Sequence, residues 1–334
     1  KPIKLFAQND VPAEKLRRAH SLLHFFLTDV PNSKFGTDKS EVANKMADNN
    51  AILIMPNGAH NESNELDLPA QPLYDSETPM EGSRWFMDND WEHRDAAFEE
   101  IFHLVHDTGI GTYLPGAIPE YQELLIAEAE QAIIDGRWGI PVEPDVTEWI
   151  TELRAENSLA QEYIASVIDS YYGLWGPFDE RAGGMWGIYI AKTRDEIAAK
   201  DAQGLTLLEG FLPPTLNYEI KLAQELNETF SLKRVLSLPY THKSQYMVHV
   251  TLTGTNPANI SGNSFDNTLR GNSANNILDG DAGTDTVVYC RPKSEYTISN
   301  EGSTIIVSGP DGADTLENIE QIHFADGLVV LGAT

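Results

Sequence analysis

Three consecutive nonapeptides, GNSFDNTLR (262–270), GNSANNILD (271–279) and GDAGTDTVV (280–288), constrain this chain more than any other feature. Each opens on glycine and carries an apolar residue at its eighth position: Leu269, Leu278 and Val287. A nine-residue period, turn formers first and a strand last, predicts a parallel β-roll, because one unit cannot bury its apolar side chain alone and must stack on the next. The turns between coils would gather backbone carbonyls and Asp side chains, the hard oxygen donors that calcium prefers.

The text before the repeats has another grammar. PAEKLRRAHSLLHFFLTDV places Leu16, Ala19, Leu22, Leu23 and Phe26 at helical spacing. KSEVANKMADNN (39–50) reads as a second helix, AILIMP (51–56) as a short buried strand, and 57–82 as a long polar surface loop. Further helices are expected at 93–107, 117–135, 145–153, 158–172, 193–202 and 215–228. From about Ser231 strand-like alternation takes over. The expected fold is α+β and multidomain: an α-rich N-terminal domain with a minor sheet over 1–230, and a C-terminal parallel β-roll with a β tail over 231–334.

Charge narrows the partners. The 334 residues carry a formal charge of -28, which disfavours nucleic acid and anionic membranes and favours cations. Hydrophobic residues make up 41%, enough for a core and too many for wholesale disorder. The one cysteine, Cys290, excludes an intrachain disulfide and a Cys-based zinc site. No window reaches 18 uninterrupted apolar residues, so no membrane insertion is expected. KPIKLFAQND has no apolar h-region, so a signal peptide is expected to be absent or already removed.

The repeats resemble the RTX (haemolysin-type) calcium-binding family. The following DTVVYCRPKSEYTIS through DGADTLENIEQIHFADG resembles the region after the repeats in serralysin-type C-terminal domains. The fullest family pattern is GGxGxDxUx, which only the third repeat, with Gly283 and Asp285, approaches; Asn267 and Asn276 stand where the first two would carry Asp. Asn amides can stack without metal, so few calcium ions are expected, with Asp279, Asp281 and Asp285 the best ligands. The alternative is a metal-free β-solenoid tail. The resemblance implies a secreted, extracellular protein, exported by a type I secretion system and folding on meeting calcium.

A second motif, FEEIFHLVHDTGIG (98–111), has the rhythm of a zinc-protease HExxH helix with Glu99 in place of the first histidine. On a wheel of 100° per residue, Glu99, His103 and His106 fall within roughly 60°, with Asp95 close by. Phe98, Ile101, Phe102, Leu104 and Val105 cover most of the other side. In HExxH helices the i and i+4 side chains bind zinc and the i+1 glutamate polarises water. Mapped here, Glu99 and His103 are ligands and Glu100 the base. A carboxylate can replace the histidine, since zinc accepts oxygen, but its charge makes the metal a weaker Lewis acid.

NSLAQEYIASVIDSYYGLWG (157–176) offers a third ligand, Glu162, on a helix face shared with Ser166 and Asp169. EEIFHLVHD followed some 60 residues on by QEYIASVIDSYY is similar to the helix pair of gluzincin metallopeptidases near the lethal-factor-like group. That resemblance implies zinc on Glu99, His103 and Glu162, Glu100 as base, and His106 and Asp169 orienting ligands from behind. Two other readings stay open: a solvated polar helix face, and another metal site built on the E-x-x-H of Glu100 and His103, although no second E-x-x-H exists for a di-iron pair. A metzincin is excluded, because His103 lacks the GxxH continuation.

Function follows in two versions. The first is a secreted calcium-binding zinc metallopeptidase, or a variant of one, acting on a peptide or protein substrate. The rival is a non-catalytic extracellular binding or matrix protein with an RTX tail. No GxSxG elbow appears, and RAGGMWG (181–187) lacks the Lys-Ser/Thr of a phosphate loop. The aromatic clusters SRWFMDNDWEH (83–93) and MWGIY (185–189) could line a peptide or glycan cleft, but core packing is the expectation.

Overall fold

The computed structural model describes residues 2–61, 68–88, 95–112, 114–302 and 304–331. The chain is mixed α/β and divides into two compact units. The first comprises Lys1–Pro79 and Trp91–Pro214, the second Met80–Asp90 and Thr215–Thr334, against the expected 1–230 and 231–334. Residues 62–67 of the expected loop, 93–94 of the expected helix and 89–93 of the first aromatic cluster lie outside the described residues.

In the first unit a parallel three-stranded sheet joins β1 (Lys4–Ala7), β2 (Ile52–Met55) and β3 (Gln71–Pro72). β2 is the expected strand; β1 was not anticipated, its KLFA being too short to show a period. α1 (Ala13–Leu27) and α2 (Ser40–Asp48) fall where the spacing places them, and α1 buries Ala19, Leu22, Leu23 and Phe26. α3 (Arg84–Asp88) belongs to the second unit. The helical layer continues with α4 (Ala97–Val105), α5 (Pro119–Ile134), α6 (Val146–Glu156) and α7 (Leu159–Tyr171). α8 (Arg194–Lys200) and α9 (Ala202–Glu209) follow. α4 packs on α1 and α7, the arrangement that places the candidate site.

In the second unit the expected helix at 215–228 is absent. Leu216, Tyr218, Ile220 and Leu222 are buried while the residues between them are more exposed. That is the period of two of extended chain, and β4 (Ile220–Lys221) pairs in parallel with β6 (His249–Thr251). The β grammar therefore starts near Thr215. The 80–88 segment docks here: Tyr218 donates to Glu81 at 3.1 Å, and Lys243, in the short α10 (Thr241–Ser244), donates to the Phe86 carbonyl at 3.2 Å.

The remaining strands alternate between two six-stranded mixed sheets. β5 (Thr229–Ser231), β7 (Asn259–Ser261) and β9 (Ile277–Asp279) stack in one, and β6, β8 (Thr268–Arg270) and β10 (Thr286–Val288) in the other, all in parallel. Leu269, Leu278 and Val287 are fully buried between them. β11 (Thr297–Glu301), β12 (Thr304–Gly309) and β13 (Gly312–Glu317) form an antiparallel meander whose last strand pairs in parallel with β9. β14 (Gln321–Phe324) joins β10, and β15 (Gly327–Val330) closes that edge. Strands that switch sheet every nonapeptide are consistent with the expected β-roll. No described helix is long and apolar enough to cross a membrane.

Candidate metal centre

The polar stripe of α4 is not a wet face. Glu99 and His103 are each 6% exposed and His106 is fully buried. Three features carry these groups inward. Asp95 accepts from the Ala97 amide at the start of α4 and is held by both guanidinium nitrogens of Arg18, at 3.1 and 2.7 Å. Glu99 and Glu162 both stand in the first turns of their helices, α4 and α7, where unpaired backbone N–H groups favour negative charge. Past Val105, α4 widens into a π-turn over His106–Gly111. There a Cβ on Gly109 would lie 2.7 Å from side-chain atoms of Val42 and Met46, so only glycine lets α2 approach so closely.

Ligand atoms of Glu99, His103 and Glu162 lie within 4.8 Å of one another, and among the described residues this is the one such group of His, Cys, Asp or Glu. His103 Nε2 is 3.5 Å from Glu162 Oε1 and otherwise has no hydrogen-bond partner. Its Nδ1 is 3.6 Å from Glu100 Oε2, which accepts from Gln71 Nε2 at 2.7 Å. A buried imidazole with the carboxylates of Glu99 and Glu162 within reach, and Glu100 beside its Nδ1, is a donor set that zinc and similar divalent ions accept. Without a metal the same groups act on a proton: burial alone would lower the His103 pKa, but Glu162, Glu100 and Glu99 together lift it to about 10.

The other expected residues lie nearby with different partners. His106 Nε2 donates to Gln122 Oε1 on α5 at 2.5 Å. Asp169 accepts from Trp175 Nε1 at 3.0 Å. Ser166 accepts from Trp138 Nε1, and its one hydroxyl proton is shared between the Glu162 carbonyl at 2.9 Å and the Met185 sulfur at 2.7 Å. Two groups beside the cluster escaped the sequence reading. Asp107 is bonded by Thr112 at 2.6 Å and by Gln161, and its pKa is raised by burial against the pull of these bonds and of His103. Its signal was the i, i+4, i+8 series Glu99, His103, Asp107. Gln71 had no signal, because a two-residue strand places it.

His106 makes a pH prediction. Burial, and secondarily the charge of His103, push it down to about 4 despite its bond to Gln122. The unfolded chain takes up this proton below about pH 6.5 and the folded chain only near 4, so stability falls as pH drops through that window, by about 3 kcal/mol in full. Urea unfolding at pH 7 and pH 4 is expected to show a larger acid loss in the wild type than in His106→Asn. Equal losses contradict it.

In the second unit the repeat turns are closed by an amide ladder. Asn267 Oδ1 and Asn276 Oδ1 accept from the backbone N–H of Asn263 and Asn272, at 3.0 and 2.9 Å. Asp285 Oδ1 accepts from the Asn267 backbone N–H, 18 residues away, at 2.7 Å, and Asp314 serves Asn276 likewise. Asp279, Asp281 and Asp285 have different surroundings. Asp279 Oδ1 accepts from the Asp281 amide and from Asn318. Asp281 is paired with Lys233 at 2.6 Å. Asp285 is 1% exposed and its Oδ2 has no hydrogen-bond partner; burial, then the nearby Glu320, Asp266 and Asp279, raise its pKa to about 7 despite the Asn267 bond. A Cβ on Gly280 would lie 2.3 Å from the Asn318 carbonyl oxygen and 2.5 Å from Asp285 Oδ2, so two oxygens converge there. Among the described residues no cluster of three or more possible metal ligands includes Asp279, Asp281 or Asp285.

Compared with protein-family models, with curated proteins and with solved structures, the chain matches none.

Proposed function

We propose that this is a secreted, RTX-tailed zinc metallopeptidase of gluzincin type, with Glu99, His103 and Glu162 as zinc ligands and a peptide or protein as substrate. The observation that carries the reading is the meeting of Glu99 and His103, from one helix, with Glu162, from another, in a buried cluster. Zinc held there would supply a Lewis acid and lower the pKa of a bound water. The chain's own groups have separable tasks. Glu100 places Oε2 beside His103 Nδ1 and accepts there from Gln71, which steadies the imidazole, and as the base it would take a proton from water. The carboxylate in place of a first histidine makes the site more negative, so slower hydrolysis than in a two-histidine site is expected.

The second unit is proposed as a calcium-binding β-roll of RTX type, with Asp285 the principal side-chain ligand and export by a type I system. Asp285→Asn tests it. In chelator the variant replaces a buried, partly unbonded carboxylate with the amide used at Asn267 and Asn276, so it should unfold at the same temperature as the wild type or higher. In calcium the wild type should gain several degrees and the variant little. Equal calcium gains in both proteins would remove Asp285 from the site.

One observation favours a different reading of the first unit. Three carboxylates around one buried imidazole also satisfy a protonated His103 with no metal, as in a structural ion cluster. The protein would then be the non-catalytic binding or matrix protein. Metal content separates the two.

A further inference from the structure

Met185, Ile188 and Tyr189 are buried as expected of a core cluster, but Trp186 is not. It is 39% exposed, and its backbone has φ 56° and ψ 13°, a left-handed conformation costly for a bulky residue. Met185 before it and Gly187 after it also have positive φ, 41° and 90°. Several bonds hold this turn. Gly184 and Tyr189 exchange backbone bonds, the Met185 sulfur accepts from Ser166, and Arg181 Nη1 donates to the Trp186 carbonyl at 3.0 Å. The indole rests edge-on against Trp175, 4.6 Å between centroids, and Phe178, 5.8 Å. Strain of this kind persists where the surrounding structure imposes it, and an exposed indole is a poor return for core packing.

What the turn does is present Trp186 to a cup of about 230 Å³, shared with Trp149, Ile188, Glu143, Asp145 and Arg181. Arg181 also pairs with Glu143 across it. The indoles and Ile188 offer apolar faces. The paired guanidinium and carboxylate offer donors and acceptors side by side. Two carboxylates and a protein of charge -28 disfavour an anionic ligand. Arg181 and Glu143 neutralise each other, so beside the aromatic faces they offer a neutral ligand a donor and an acceptor, and a cation drawn to Asp145 is the competing occupant. The neutral ligand that matches both features is a ring with an apolar face and a hydroxylated edge.

We infer that the Trp149–Trp186 cup binds a neutral pyranose unit of a glycan, with a sugar face on indole and ring hydroxyls on the Arg181–Glu143 pair. The inference does not rest on the zinc reading. Glucose-type sugars fit best, because equatorial hydroxyls leave C–H groups on both faces.

The test uses the full chain in calcium buffer and titration calorimetry with gluco-, xylo-, manno- and galacto-hexasaccharides, and with tetramethylammonium as a cationic probe. A gluco-hexasaccharide is expected to bind, tenfold or more weaker in Trp186→Ala and in Trp149→Ala, with partial recovery in Trp186→Phe. Unchanged unfolding temperatures would show that these variants lose the ligand and not the fold. No binding of any neutral hexasaccharide by the wild type, binding equal in both alanine variants, or preference for tetramethylammonium would each overturn the proposal.

Discussion

Asp201→Ala is expected to destabilise the first unit by about 3–5 kcal/mol, the cost of stranding partners of a buried charge. Asp201, 1% exposed, sits between α8 and α9. It accepts from Tyr163 at 2.8 Å, from Tyr189 at 2.9 Å and from the Gly204 amide at 3.3 Å, and it pairs with Arg137. Removing its carboxylate leaves two buried hydroxyls without an acceptor, and Arg137 with Glu128 and Asp135. At about 2–4 °C per kcal/mol for a unit of this size, the midpoint should fall by roughly 10 °C. Asp201→Asn should cost less, because the amide oxygen still accepts one hydroxyl. Because Tyr163 adjoins Glu162 on α7, the same loss would loosen the candidate ligand. A change under about 1 kcal/mol in the alanine variant would mean that the network is not a support.

The second large effect concerns chemistry. In the proposed zinc enzyme, Glu100→Gln is expected to lower peptide hydrolysis by about 10²–10⁴-fold, the usual range for a general base. Zinc content should stay the same, because Glu100 is not a proposed ligand and glutamine can still meet His103 Nδ1. Assay on a quenched-fluorescent peptide library, with metal measured on the same samples, separates the two roles of Glu100. Activity within a few-fold of wild type would remove it as the base. Lost zinc would recast it as a group needed for binding.

Much of this arrangement was legible in the sequence, for identifiable reasons. The nonapeptide period survives in the structure because each eighth residue must be buried, and Leu269, Leu278 and Val287 are. The helices carrying Glu99, His103 and Glu162 were readable because their apolar residues recur at helical spacing. What the period does not report is whether a polar stripe faces water or another helix: burial of Glu99 and His103 depends on α1 and α7, far off in sequence. The segment 215–228 was misread because helix formers such as Glu225 and Leu226 masked the alternation from Leu216 to Leu222. The docking of 80–88 rests on bonds such as Tyr218 to Glu81, 137 residues apart, for which no local pattern exists. Asp201 was illegible for the same reason, its partners coming from three separate segments.

Elemental analysis of purified chain dialysed in calcium buffer, for the wild type, Glu99→Ala and His103→Ala, decides whether the buried Glu99–His103–Glu162 cluster holds a metal. One tightly held zinc is expected per wild-type chain and none in either variant. Wild-type protein without a transition metal, or with metal unaffected by both substitutions, would contradict it and leave a buried imidazolium held by carboxylates.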